Sequence, residues 1–157
     1  MGETVGERSK LENLLIYLTL RLRKSRQRVG RTKLMKLLYL TDLLARRKLG
    51  RTVTGATYRF YFYGPFSTEV LDALDALVER GILEDRPELT KFGVAHNYQP
   101  TKLAESLNVE EAIPEDEKAI LYEVIKRFGR MNLLKLLDIV YATGPMKKVA
   151  PGELIEI

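Results

Sequence analysis

The chain has 157 residues and a formal net charge of +5, and its residues 1–60 carry 15 Lys and Arg against 4 Asp and Glu. This length suits one domain with a hydrophobic core, and no apolar run approaches the roughly 18 residues that a membrane-spanning helix needs. The absence of cysteine excludes disulfides and thiolate zinc sites, and residues 1–10 lack the apolar segment of a secretory signal.

We expect a single, mainly helical domain over 1–157 that also contains short strands, which is an α+β fold. Its parts are a loosely ordered N-terminus (1–8), a basic N-terminal helix and linker (9–31), a helical core (32–145) and a tail (146–157). We expect the protein to be soluble and cytoplasmic. A composition that is rich in charge but poor in Asn, Gln and Cys is typical of thermophilic proteins.

Apolar spacing predicts two long helices at the start of the chain. Ser9 and Glu12 form a capping-box pattern for the first helix, which should run to about Lys24. Its apolar residues lie on more than one face, which is typical of a helix at the centre of a domain or at an interface. Thr32 is the expected N-cap of the second helix, and Gly50 is its expected stop.

The middle of the chain changes to a strand pattern. Residues 58–63 are rich in aromatic side chains and predict a strand that Gly64 and Pro65 end. Ser67 then caps a predicted helix over 68–80, which carries apolar residues on one side and carboxylates on the other.

A small hairpin is predicted next, with arms at 82–84 and 96–99 and a loop over 85–93. Thr101 should cap a short helix that follows it. A helix, a short hairpin and a capped helix in this order are the layout of a winged helix. The predicted fold is therefore a compact helical domain with a winged-helix-like core.

Two further helices and an edge strand complete the prediction. The first helix begins near Pro114, with acidic residues at its positive end, and stops at Gly129. The second is capped by Asn132 and runs to about Ala142. The tail could add an edge strand at 154–157.

The sequence contains no recognisable catalytic pattern. His96 is the single histidine, and no spacing of other residues around it suggests a metal site. Phosphate-binding loops and nucleophile elbows are absent, and no base stands beside a nucleophile. We therefore expect a protein that is not an enzyme, with no catalytic residue, no bound metal and no cofactor.

The basic linker has two open interpretations. Clustered Lys and Arg are usually solvated surface, but they also bind phosphates with release of counterions. The acidic face of the helix over 68–80 would repel phosphates, which argues against that helix as a DNA reader. The candidate nucleic-acid contacts are Arg21, Arg23, Lys24, Arg26, Arg28 and Arg31.

The segment RFYFYGPFS at 59–67 holds five aromatic residues in seven positions. Some of them are explained by core packing, because alternate residues of a strand point to opposite faces. The others either pack around Gly64 and Pro65 or are partly exposed anchors, since tyrosine gives a large contact area at low entropic cost. The candidate partner-binding residues are Arg59, Tyr61, Tyr63, Gly64, Pro65 and Phe66.

Three segments follow one another at a fixed interval: TKLMKLLYLTD (32–42), GRTVTG (50–55) and YGPFS (63–67). This pattern resembles the Panacea domain, the SocA-like antitoxin family, and it is similar to the YwgA-like proteins of bacteria and archaea. The resemblance implies a helical domain with a small β element that binds a partner protein, such as a toxin, without catalysis. The basic N-terminal helix and linker are not part of the pattern.

Two hypotheses for function follow. The first is a non-enzymatic, antitoxin-like or adaptor-like regulatory module that recognises a partner protein, and self-association would use the same surfaces. The alternative is a winged-helix-like DNA-binding transcription regulator that uses the basic N-terminal segment. A membrane is not an expected partner.

Overall fold

The structure, a computed structural model, describes residues 8–61 and 64–157. Most of the first predicted part, the N-terminus, therefore lies outside the described residues. The helices are α1 (Lys10–Lys24), α2 (Arg31–Leu49), α3 (Thr68–Glu79), α4 (Lys102–Ser106), α5 (Glu115–Phe128), α6 (Leu133–Tyr141) and α7 (Gly144–Lys147), with a 3-10 turn at Val109–Ala112. The strands are β1 (Tyr58–Phe60), β2 (Pro65–Phe66), β3 (Leu83–Thr90), β4 (Gly93–Pro100) and β5 (Leu154–Ile155). The prediction of a mainly helical α+β fold is confirmed.

Helix α2 passes through the centre of the molecule. Nine consecutive residues, 34–42, are buried, so this helix has no solvated side along more than two of its turns. Helix α1 is also buried on several faces, and the predicted capping box of Ser9 and Glu12 is present at its start. Gly50 ends α2 in the left-handed conformation, as predicted.

The predicted N-cap of α2 is wrong. The cap is Gly30, which has no side chain to accept a hydrogen bond, and Thr32 lies inside the helix. The earlier start has a physical cause outside the helix, because Gly30 forms an isolated antiparallel bridge with Asn97 of β4. That bridge fixes the extended backbone immediately before the first turn, and the Leu34 amide then donates to the Gly30 carbonyl at 3.0 Å.

A three-stranded antiparallel sheet with the order β2-β1-β5 lies over α2. The predicted strand over 58–63 is shorter than expected, since β1 ends at Phe60, while Phe62 and Tyr63 lie outside the described residues. The predicted edge strand in the tail is confirmed, because β5 pairs with β1. Sequence reasoning missed β2, which follows the Gly64 turn directly.

The second sheet is a hairpin that is longer than predicted. Strands β3 and β4 pair from Leu83 with Pro100 to Thr90 with Gly93, so the predicted loop over 85–93 is wrong. Its outer half has charged residues and a proline and buries neither face, which hides the alternation that marks a strand. The order α3, hairpin, α4 is the one predicted, and the winged-helix likeness stays a prediction.

The Asp42 carboxylate connects α2 to the segment that leads into β1. This side chain is fully buried and accepts hydrogen bonds from the Val53 amide at 2.8 Å and from the Thr54 amide at 3.0 Å. It also accepts from the Thr54 hydroxyl and from the Tyr58 hydroxyl, the latter at 2.9 Å. Four donors compensate the buried charge and fix where β1 begins.

Replacing Asp42 with Asn should lower the free energy of unfolding by about 1.5–3 kcal/mol, the range of hydrogen bonds to a charged group. The substitution keeps the volume of the side chain. However, the amide nitrogen of Asn is itself a donor, and it would face groups that donate hydrogen bonds to Asp42. Urea unfolding followed by circular dichroism measures the change.

Asp72→Asn is the matched control, because Asp72 is exposed on α3. We expect the control to change stability by less than about 0.5 kcal/mol. Equal effects of the two substitutions would contradict the role given to Asp42.

Candidate partner-binding site

The outer face of the three-stranded sheet gathers exposed side chains from three strands. Arg59 of β1 pairs with Phe66 of β2 on one side and with Leu154 of β5 on the other. Side chains that are directly opposite in an antiparallel pair lie on the same face of a sheet. Tyr61, two residues after Arg59, packs edge-on against Phe66 with ring centroids 6.2 Å apart. We call Arg59, Tyr61, Phe66 and Leu154 the sheet face.

The sheet face combines apolar area with one cation. Tyr61 is 41% exposed and Leu154 is 42% exposed, while Phe66 is half-buried and Arg59 is exposed. The Arg59 guanidinium donates to the Gly152 carbonyl at 3.3 Å, which holds it over the sheet. Aromatic and arginine side chains are enriched at protein interfaces relative to the rest of the surface.

Gly64 and Pro65 shape this face from below. Both are buried, and Gly64 has a φ of +118°, which favours glycine. The Tyr61 amide donates to the Gly64 carbonyl at 3.0 Å and closes the turn. Of the six candidate partner-binding residues, three therefore lie on the sheet face, two lie beneath it, and Tyr63 is outside the described residues.

Lys36 of α2 lies directly under the Gly64 turn and is 1% exposed. A Cβ atom at Gly64 would lie 3.6 Å from Lys36 Nζ and 3.7 Å from Val140 Cγ1 of α6. Burial lowers the pKa of Lys36 to about 8, and no charge or hydrogen bond from the described residues offsets it. A charge buried in this way opposes folding.

Sequence reasoning did not select Lys36. The signal that could have found it is its position between two apolar stripes on one helix. Leu34, Leu37 and Leu38 form one stripe, and Met35 and Tyr39 form the other. A lysine between two such stripes has no solvated side.

The side chains of the basic segment make separate contacts with different residues of the protein. The Arg21 guanidinium lies 5.6 Å from the Tyr17 ring centroid, and Arg28 pairs with Glu88 at 3.1 Å. Arg31 donates to the Tyr98 hydroxyl at 2.9 Å. Arg23, Lys24 and Arg26 complete the predicted set, and Lys24 and Arg26 are exposed.

The carboxylates of α3 lie on its exposed face, as the sequence predicts. Glu69, Asp72, Asp75 and Glu79 are all exposed, while Val70, Leu74 and Leu77 are buried. The Glu69 pKa is lowered mainly by the hydrogen bond from the Thr57 amide, so this carboxylate stays charged. An exposed acidic stripe repels phosphate, so α3 is poorly suited to enter a DNA groove.

Residues 8–61 and 64–157 contain no group of three His, Asp or Glu side chains arranged to hold a metal ion. His96 is hydrogen-bonded through Nδ1 to Asp85 Oδ2 at 2.8 Å. None of the helices in the described part of the chain is both long and apolar enough to span a membrane.

Comparison with known proteins identifies one family. The family model described as antitoxin SocA-like, Panacea domain, matches residues 34–145, which is more than half of the chain. The match covers α2 from Leu34 onward, which includes most of the first of the three segments whose spacing suggested this resemblance. It also covers the other two segments and the helices up to the start of α7. No curated protein matches the chain.

Replacing Lys36 with Met should raise the free energy of unfolding at pH 7 by up to about 3 kcal/mol. The pKa of Lys36 is about 8 in the folded protein, against an ordinary value of 10.5. Below pH 8 Lys36 is protonated in both the folded and the unfolded protein, so the full cost of burying its charge lowers the free energy of unfolding. Between pH 8 and 10.5 the unfolded state binds more protons, so stability rises with pH, by about 1.4 kcal/mol for each unit of pKa difference.

Urea unfolding of the native protein and of Lys36→Met from pH 7 to 10.5 measures this directly. The difference in the free energy of unfolding between the two proteins should shrink as pH rises, since all other groups titrate equally in the native protein and the variant. Lys147→Met, at an exposed position, is the matched control and should give parallel curves. A constant difference for Lys36→Met would show that its amine is not the destabilising group.

Proposed function

The chain belongs to the antitoxin SocA-like, Panacea domain family, and from this premise we propose that it is a non-enzymatic, antitoxin-like regulator that captures a partner protein on its sheet face. The observation that carries the proposal is the gathering of Tyr61, Phe66, Leu154 and Arg59 on one exposed face. Family membership supports the regulatory role. The residue chemistry supports the choice of surface.

The sheet face suits a protein partner because it is rigid. The Asp42 carboxylate fixes the start of β1, and the buried Tyr58 of that strand packs edge-on against Tyr39 with ring centroids 5.6 Å apart. The Tyr39 hydroxyl is hydrogen-bonded to the Thr143 hydroxyl at 2.8 Å, which ties α2 to the segment after α6. A surface held in this way loses little conformational entropy when it binds.

The charges near the sheet face indicate which partner surface would fit. Arg59 lies on it, and the Lys36 ammonium lies beneath the Gly64 turn. Below about pH 8 both carry positive charge, and no ion pair among the described residues neutralises either of them. Complementary potentials favour a partner with an apolar centre and acidic groups around it.

The same face could pair with a second copy of the chain. The three-stranded sheet has short edge strands, and Leu154 lies on the edge strand β5. Two copies would bring two Arg59 side chains together, which is unfavourable unless an acid lies between them. This charge repulsion makes a different, acidic partner the better occupant.

Replacing Tyr61 with Ala should weaken capture of the partner at least about tenfold, the effect of losing an aromatic anchor. Co-expression of Tyr61→Ala with a candidate toxin should show loss of the growth protection that the native chain gives. The purified pair gives the affinity by biolayer interferometry.

Tyr122→Ala is the matched control, because Tyr122 is 52% exposed on α5 and does not belong to the sheet face. The free energies of unfolding of both variants, measured with urea, should agree to within about 0.5 kcal/mol. Unchanged protection by Tyr61→Ala would remove the sheet face as the binding site. A dimer lost in Tyr61→Ala, with no toxin bound by the native chain, would favour self-association.

A further inference from the structure

A cleft of about 570 Å³, which shares no residue with the sheet face, lies between residues 27–33, strand β4 and residues 130–133. Four cations line it: Arg28, Arg31, Lys33 and Arg130. None of the described residues that line it is acidic. A concave site of this size, with positive charge from two segments of the chain, concentrates the electric field and attracts anions.

The start of α2 adds to this field. Its N-cap Gly30 offers no side chain to the amides of the first turn, and no acidic residue lies in that turn. Arg31 and Lys33 lie there instead, where the helix dipole disfavours cations. A bound anion would satisfy the amides and relieve both unfavourable interactions.

Three of the cations differ in how far other residues of the protein neutralise them. Arg31 donates through Nε to the Tyr98 hydroxyl at 2.9 Å, which fixes the guanidinium and leaves its other N–H groups for a ligand. Burial alone lowers the pKa of Lys33, so its charge has no compensating partner among the described residues. Arg28 is partly neutralised by Glu88 at 3.1 Å, but both side chains are largely exposed and this pair is weak.

The remaining lining residues are suited to an organic group. Val94, Met131 and Leu133 provide apolar contacts beside the cations, and His96 adds a polar one. We propose that this cleft binds a phosphorylated small molecule, with its phosphate at Arg31, Lys33, Arg130 and the start of α2, and its organic part against the apolar wall. The volume is within the range of small-ligand pockets.

A small ligand fits these observations better than a duplex does. The cations surround one concave space, whereas contacts to duplex phosphates are distributed along an open surface. The neighbouring acidic stripe of α3 is of the wrong sign for a DNA reader. Arg28, Arg31 and Lys33 also precede residues 34–145, so three of the four cations lie outside the family match.

Isothermal titration calorimetry of the whole chain at physiological salt tests the proposal, with inorganic pyrophosphate, adenosine diphosphate and a short duplex DNA as probes. We expect saturable binding of one pyrophosphate and tighter binding of the nucleotide. The double variant Lys33→Met/Arg130→Gln should weaken both at least about tenfold. Arg47→Gln/Lys126→Met is the control, since it removes the same charge at exposed positions outside the cleft.

Thr32→Glu provides a second variant whose folding is not at risk. A carboxylate in the first turn of α2 stabilises the helix but repels an anion in the cleft, so thermal stability should hold or rise while binding is lost. Three results would overturn the proposal: no binding of either small anion, equal weakening by the control pair, or binding of duplex DNA alone. These variants leave the sheet face unchanged, so failure here does not affect partner capture.

Discussion

The buried carboxylate of Asp42 is the interaction on which the rest of the structure depends. A carboxylate inside a core is tolerated only when donors surround it, and all four come from residues 53–58. Burial and the Asp42 charge together raise the pKa of Tyr58, so its hydroxyl remains a donor. One side chain of α2 therefore determines where β1 begins and which residues of β1 face outward.

Helix α2 carries a second buried charge, Lys36, which the surrounding residues do not compensate. Asp42 is fully hydrogen-bonded, whereas Lys36, six residues earlier, has burial as the sole cause of its lowered pKa. Stability alone would favour methionine at position 36, since an apolar side chain of similar length carries no desolvation cost. A destabilising group retained beneath an exposed surface is expected where function and stability compete.

The sequence predicts the helices well because their signals are local. Caps such as Ser9, Ser67 and Asn132 and the stop at Gly50 act within one turn, and all are found where the pattern places them. The errors arise where distant residues decide. Asn97 of β4 moves the start of α2 to Gly30, and pairing between β3 and β4 extends a hairpin whose outer half buries neither face. The sheet face was predicted in part, because alternation selects Arg59 and Tyr61, but Leu154 joins them only through the β1–β5 register.

The two proposed surfaces are built on the same two helices. Lys33 lines the cationic cleft, and Lys36 lies beneath the sheet face three residues of α2 later, a rise of about 4.5 Å. Helix α6 has Leu133 in the cleft at one end and Val140 near Gly64 at the other. Both helices are packed along their buried sides, and tightly packed elements transmit displacement rather than absorb it. A shift of α2 against α6 at the cleft would therefore reach the support of the Gly64 turn. Any free-energy coupling between the two surfaces would be reciprocal, so a partner on the sheet face would change anion affinity by the same factor.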